Sequence, residues 1–261
     1  MRIFAVSGLG LLLLAGAARA ADEPLARARL LYNQRQFVDA INAAEQARHN
    51  PARADSADLI AARAYLERYR DSAASDDLTN ARDRLSRLDP QRLVPRERME
   101  YIVGLGETLY FDQSYGAAAA VFDSVLHSGE LTLAGARDRV LDWWADALEH
   151  DARPRPEMDR RAVYQRIRDR MEEELAYSSS STAAAYWLAA AARGHGDLQA
   201  AWDAAQAAWV RAPLAADKGE ALRADIDRLV QFAIIPDRVK TSAQPPQTFL
   251  QEWERFKDRW K

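Results

Sequence analysis

The stretch Gly104–Phe122, GLGETLYFDQSYGAAAAVF, decides how this chain is to be read. Its opening Gly-Leu-Gly resembles the start of a phosphate-cradling loop. A dinucleotide fingerprint needs Gly-x-Gly-x-x-Gly between a strand and a helix. Here the third glycine position is Leu109, and Tyr101, Ile102 and Leu105 ahead of it already carry helical spacing. The competing reading follows Ile102, Leu105, Gly106, Leu109, Tyr115, Ala118, Phe122 and Val125. Those apolar and small residues recur in steps of three and four, as on two amphipathic helices joined by a short turn. The helical hairpin accounts for more of the residues.

The same frame returns elsewhere. In Thr182–Ala215 it places Ala185, Leu188, Ala189, Ala192, Leu198, Ala201, Ala205, Ala208 and Pro213, with Gly194-His195-Gly196-Asp197 as the turn. From Ala21 it places Ala28, Leu31, Phe37, Ala40, Ala44 and Ala47, with Pro51 near the end. Two intervening segments fit less closely. In one, Ala57, Ile60, Ala61 and Ala64 form a first helix, and Leu78, Ala81, Leu85 and Leu88 a second that follows an Arg70–Asp77 insertion. In the other, Leu141, Trp144, Ala145 and Leu148 precede a proline-broken loop and a helix using Met158, Val163, Ile167 and Met171. Small residues at Gly106, Ala118, Ala189 and Ala201 let backbones approach, and Leu105, Phe122 and Leu188 fill the space around them.

This pattern resembles the tetratricopeptide repeat, a helix–turn–helix unit of 34 residues. The resemblance covers roughly residues 21–215. It implies an all-α fold: a right-handed α-solenoid of about five hairpins over 21–235. Its last helix, Asp217–Ile235, would close the stack with a stripe of Leu222, Ile226, Leu229, Val230 and Ala233, since a solenoid end must be capped. Pro236 is expected to stop that helix. Residues 236–261 then form a proline-containing linker and a short amphipathic helix.

The first twenty residues read differently. A positive start at Met1-Arg2, an apolar run from Ile3 to Ala15 and small residues at Ala18 and Ala20 make a secretory signal peptide, with cleavage after Ala20. The run is shorter than the roughly 20 apolar residues that cross a bilayer. The expected location is the periplasm. Removing residues 1–20 takes away Arg2 and Arg19, so the formal charge of −3 becomes more negative by two. That balance lacks the basic footprint of a nucleic-acid binder, and no later run has the length of a membrane span. The chain has no cysteine, so no disulfide is available.

Chemistry-bearing patterns are sparse. The four histidines, His49, His127, His150 and His195, show no i, i+4 pair and no His-Glu-x-x-His. With no cysteine beside them, neither a zinc site nor another metal or cofactor is expected. Ser178–Ser181 lacks the strand–turn–helix setting of a nucleophile elbow and serves as a connector with an N-cap at Ser181 or Thr182. No catalytic residue is assigned.

Two binding surfaces stand out. In tetratricopeptide proteins the first helix of each unit lines a concave groove that holds a partner segment. The resemblance places Glu100, Val103, Glu107 and Tyr110 there, then Arg139, Asp142, Asp146 and Glu149, then Tyr186 and Arg193. Together they are acidic with some aromatic area, which favours a protein or peptide carrying Lys or Arg and an apolar anchor. The second surface is Phe249, Trp253, Phe256 and Trp260, at i, i+4, i+7 and i+11 of the final helix. Burying one such side chain is worth about 1.5–3 kcal/mol, so the stripe must dock, on its own chain or on a partner. The expected function is a non-enzymatic scaffold. The alternative is a small-ligand protein or enzyme with a pocket at Asp151–Tyr177, where Arg153, Arg155, Arg160 and Arg161 cluster.

Overall fold

The computed structural model describes residues 23–128, 131 and 134–261. The expected signal peptide lies outside the described residues. Those residues are helical almost throughout, with no strand among them. The helices divide into two compact units, unit 1 (Met1–Ser114) and unit 2 (Tyr115–Lys261).

Unit 1 contains α1 (Pro24–Asn33), α2 (Phe37–Arg48), α3 (Ala54–Ser72), α4 (Ser75–Arg87) and α5 (Pro95–Phe111). Each helix packs on the next, and α3 also packs on both α1 and α5. Prolines open α1 and α5, where a missing N–H costs nothing because the first turn has no intrahelical acceptor for it. The core is built mostly from small side chains: Ala28, Ala44, Ala47, Ala57 and Ala61 pack with Leu25 and Ile60. Leu59, Ala62, Leu85 and Leu93 form a second cluster. Alanine keeps the helix axes close and has the highest helix propensity of any residue. The Arg70–Asp77 insertion is not a loop. α3 continues to Ser72, turns through Ala73 in the left-handed region (φ 55°), and α4 begins at Ser75.

Unit 2 contains α6 (Tyr115–His127), α7 (Ala134–Ala152), α8 (Glu157–Tyr177), α9 (Thr182–His195), α10 (Leu198–Arg211), α11 (Glu220–Leu229), α12 (Ile235–Thr241) and α13 (Pro246–Arg259). Consecutive helices from α6 to α11 pack together, and α9 also packs on both α7 and α11. The α9–α10 turn forms as its sequence requires. Gly196 adopts the left-handed conformation that ends a helix (φ 95°), and the Asp197 carboxylate accepts from the Ala200 N–H at 3.0 Å. Phe122, Leu141, Trp144, Ile167 and Met171 are fully buried. Met158, expected to pack, is 82% exposed, because α8 begins at Glu157 and buries Ile167, Met171, Glu174 and Leu175 further along.

Pro236 does not stop the helix that precedes it. α11 passes into a π turn over Val230–Ile234, where the Ile235 N–H donates to the Val230 carbonyl five residues back, and α12 continues to Thr241. Proline removes an i→i−4 bond and collides with the carbonyl four residues back. A wider turn just before it relieves both problems. The connection to α13 therefore begins at Ser242 rather than at Pro236.

Candidate binding cleft

Unit 2 holds a cleft of about 910 Å³. One wall is α7. Arg139, Asp142, Asp146 and Glu149 recur there at i, i+3, i+7 and i+10, which puts them on one face. The opposite face of α7 buries Val140, Leu141, Trp144, Ala147 and Leu148 in the core. α9 supplies Tyr186 and Trp187. The far wall is the 214–217 connection with Ala221, Leu222 and Asp225 of α11.

Hydrogen bonds fix these walls. Asp138 on α7 reaches the start of α9, accepting from Ser181 Oγ (2.6 Å), the Thr182 N–H (2.8 Å) and Thr182 Oγ1 (3.0 Å). Ser181 is the N-cap of α9, accepting from the Ala184 N–H at 3.2 Å. One turn further along α7, Asp142 Oδ1 accepts from the Trp187 indole N–H at 2.8 Å. Asp217 caps α11 by accepting from the Gly219 and Ala221 N–H groups at 2.9 and 3.0 Å. The turn into α11 demands glycine. Gly219 has φ 80°, and a Cβ there would lie 2.2 Å from the Ala212 carbonyl oxygen.

The lining is strongly anionic. Asp138, Asp142, Asp146, Glu149, Asp217 and Asp225 contribute six carboxylates, against the single guanidinium of Arg139. The basic side chains that approach three of them, Arg153 at Glu149, His150 at Asp146 and Arg228 at Asp225, come from one turn away on the same stretch of chain and do not line the cleft. The field is felt at two groups. Asp142 is pushed above the ordinary aspartate range, first by loss of hydration and then by Asp146, Asp225 and Asp138, with the Trp187 hydrogen bond opposing. The Tyr186 phenol is also pushed up, by burial and then by Glu149, Asp225, Asp142 and Asp146.

Of the ten residues expected on the groove, Arg139, Asp142, Asp146, Glu149 and Tyr186 come together here. Arg193 does not. Its Nε donates to Asp237 Oδ2 at 2.7 Å, tying α9 to α12. Glu100, Val103, Glu107 and Tyr110 belong to unit 1 and sit in a different environment. Glu100 accepts from Arg63 Nη1 at 2.6 Å and from Arg96 Nε at 3.2 Å. Glu107 is buried beside Arg70 at 3.3 Å, and Arg70 also reaches Glu67 at 3.0 Å. Arg63 lies over the Tyr32 ring at 4.4 Å. Val103 is half-buried, as is Tyr110, whose ring meets Phe111 edge-on at 5.9 Å.

Sequence reasoning missed Asp138, Trp187, Leu214, Leu222 and Asp225 as lining residues. Leu222 belongs to the buried stripe of α11 and also borders the cleft. Asp225 lies three residues on, beside that stripe, and that offset was the one signal available.

Arg153, Arg155, Arg160 and Arg161 find partners close by in sequence. Arg155 pairs with Asp151, Arg161 with Glu157 at 2.7 Å, and Arg160 reaches the Arg155 carbonyl at 3.4 Å. No residue of this segment lines the cleft.

The C-terminal stripe docks on its own unit. Phe249, Trp253 and Phe256 are buried, while Trp260 is half exposed. Trp253 meets Trp202 and Trp209 edge-on at 5.8 and 5.6 Å and stacks on Phe256. The Trp253 indole N–H and Lys257 Nζ both donate to Asp227 Oδ1 at 2.8 Å. Burial is the largest influence on Asp227 and raises its pKa. The hydrogen bonds from Lys257, Trp253 and Gln231 outweigh it, so the net displacement is downward. The Arg238 guanidinium lies between the Trp202 and Phe249 rings, at 4.5 and 4.6 Å.

Compared with protein-family models, with curated proteins and with solved structures, the chain matches none of them. No helix among the described residues is long and apolar enough to cross a membrane.

Proposed function

We propose that this chain is an exported helical-repeat scaffold of the tetratricopeptide type, which holds a segment of a partner protein in the unit 2 cleft and performs no chemistry on it. The carrying observation is convergence. Arg139, Asp142, Asp146, Glu149 and Tyr186, placed on a groove face by repeat register alone, line one cleft in company with a wall from α11. Repetition supports the reading too. Alternate helices α1, α3 and α5 contact in sequence within unit 1, as do α7, α9 and α11 within unit 2. Arg63–Glu100 and Arg70–Glu107 link successive first helices at the same separation of 37 residues, near the length of one repeat. The export reading rests on the composition of residues 1–20.

The test is a pull-down from periplasmic extract with the wild-type chain and a Tyr186→Ala, Asp225→Lys variant. Both substitutions fall on the cleft lining, and circular dichroism checks that the helices persist. Loss of the captured proteins is expected. Equal capture by the folded variant defeats the cleft assignment. Mass spectrometry of the mature protein tests cleavage after Ala20.

A further inference from the structure

The reading above leaves the partner's chemistry open, and the two walls of the cleft restrict it. On one side Asp142, Asp146 and Glu149 of α7 face Asp225 of α11, with the Tyr186 ring among them. All four carboxylates line the cleft together with Tyr186. Beside Asp225 on that far wall, Leu214, Ala215, Ala216 and Ala221 add aliphatic surface, with Asp217 among them. Leu214 is 57% exposed although it lines a concavity. Covering it removes apolar surface from water.

We infer that the cleft takes an extended protein segment presenting a lysine or arginine next to an aliphatic residue. The cation sits over Tyr186 between the α7 carboxylates and Asp225, and the aliphatic side chain lies on Leu214, Ala216 and Ala221. This rests on the proposed scaffold function and deepens it. Charge complementarity selects the cation. Six carboxylates against one guanidinium repel nucleic acids and acidic peptides alike. The Tyr186 ring lines the same cleft, and a cation over its face gains cation–π attraction. The aliphatic wall selects what stands beside the cation. A polyamine would satisfy the acids and leave Leu214 wet, whereas a Lys-Leu or Arg-Val pair satisfies both walls. The volume of about 910 Å³ is near the top of the range of roughly 300–1,000 Å³ for ligand pockets, so more than one side chain fits.

The experiment uses fluorescein-labelled octapeptides, acetylated and amidated, that alternate Lys-Leu pairs with Gly-Ser. Matched peptides carry Gln for Lys or Ser for Leu, and spermine serves as competitor. Anisotropy gives affinity, and the NMR shift of the Trp187 indole N–H reports occupancy of the cleft. Each peptide is tested on the wild type and on Glu149→Gln, Asp225→Asn, whose isosteric changes leave packing intact. The Lys-Leu peptide is expected to bind and to shift Trp187. Replacing Lys by Gln, or using the double variant, is expected to weaken binding about tenfold or more, the equivalent of one strong charge contact. Raising salt weakens it further. Equal binding of the Gln peptide overturns the cation assignment and leaves the cleft reading standing. If Ser for Leu has no effect and spermine competes at equal concentration, the ligand is a small polycation and the segment assignment falls. If no peptide shifts Trp187 while the pull-down still depends on Tyr186 and Asp225, this inference alone fails. If the pull-down is also indifferent, the scaffold reading fails with it.

Discussion

The two units treat the same kind of helix face in opposite ways. In unit 1, α3 and α5 lay arginines against acids: Arg63 on Glu100 and Arg70 on Glu107, with Arg29 of α1 on Glu97. In unit 2, α7 lines a cleft with Asp142, Asp146 and Glu149, together with Tyr186 of α9 and a further acid, Asp225, on α11. The first arrangement satisfies its charges across neighbouring helices. The second concentrates like charge in a concavity.

The sharpest way to break this contrast is Glu107→Lys. It puts a cation beside Arg70 in a buried position that also acts on Arg63. An uncompensated buried charge costs about 3–5 kcal/mol. Urea unfolding is expected to show a loss of that order. A neutral result would mean the unit 1 pairs are incidental. Next is Arg63→Met, which keeps the packing stem and removes the donor to Glu100 and the cation over Tyr32. About 2 kcal/mol is expected from hydrogen bonds to a charged acceptor. A change under 0.5 kcal/mol would place this pair among ordinary surface ion pairs.

Acid titration sharpens the comparison within unit 2. Asp227 is held below the ordinary aspartate value of about 3.9. Its contribution is present above that value and is lost as pH falls through the lower folded value. Docking of α13 should weaken in acid, read from the emission of Trp253 and its neighbours; docking that persists unchanged at pH 2 would argue against it. Asp142 runs the other way. Its raised value means the folded state binds the proton more tightly, so ionising it as pH rises costs stability. Loss of hydration holds it there first, then Asp146, Asp225 and Asp138, with Tyr186 and Arg139 also facing the cleft.

The smallest effect is therefore expected for Asp142→Asn. Asparagine can still accept from Trp187. Stability at pH 7 should stay within about 0.5 kcal/mol of wild type or rise slightly. The difference from wild type should vanish below about pH 4, where aspartate is protonated in both states. A clear loss at pH 7 would assign Asp142 a structural role.

How much of this was legible beforehand depended on whether a feature is local. The helices, the Gly196–Asp197 turn and the Ser181 cap follow from periodicity and capping chemistry within a few residues. The α7 face was legible because helical spacing alone puts Arg139, Asp142, Asp146 and Glu149 in line. The fate of Glu100 and Glu107 was not, since Arg63 and Arg70 stand 37 residues away and only packing brings them together. Asp225 was hidden for the same reason. Its helix reads in sequence as a closing helix, and only packing shows that it also walls the cleft. Pro236 misled because its usual effect is to break a helix, and a π turn is not announced by any residue pattern.

That wide turn at Val230–Ile234 has a consequence for everything downstream. An α-helix advances about 100° per residue, so one additional residue in a single turn resets the azimuth of all that follow. Asp237 meets Arg193, and Arg238 slides between Trp202 and Phe249, only in that rotated phase. Deleting one residue from the bulge would restore regular winding and swing both side chains away, so the placement of the final helix depends on a single extra peptide unit.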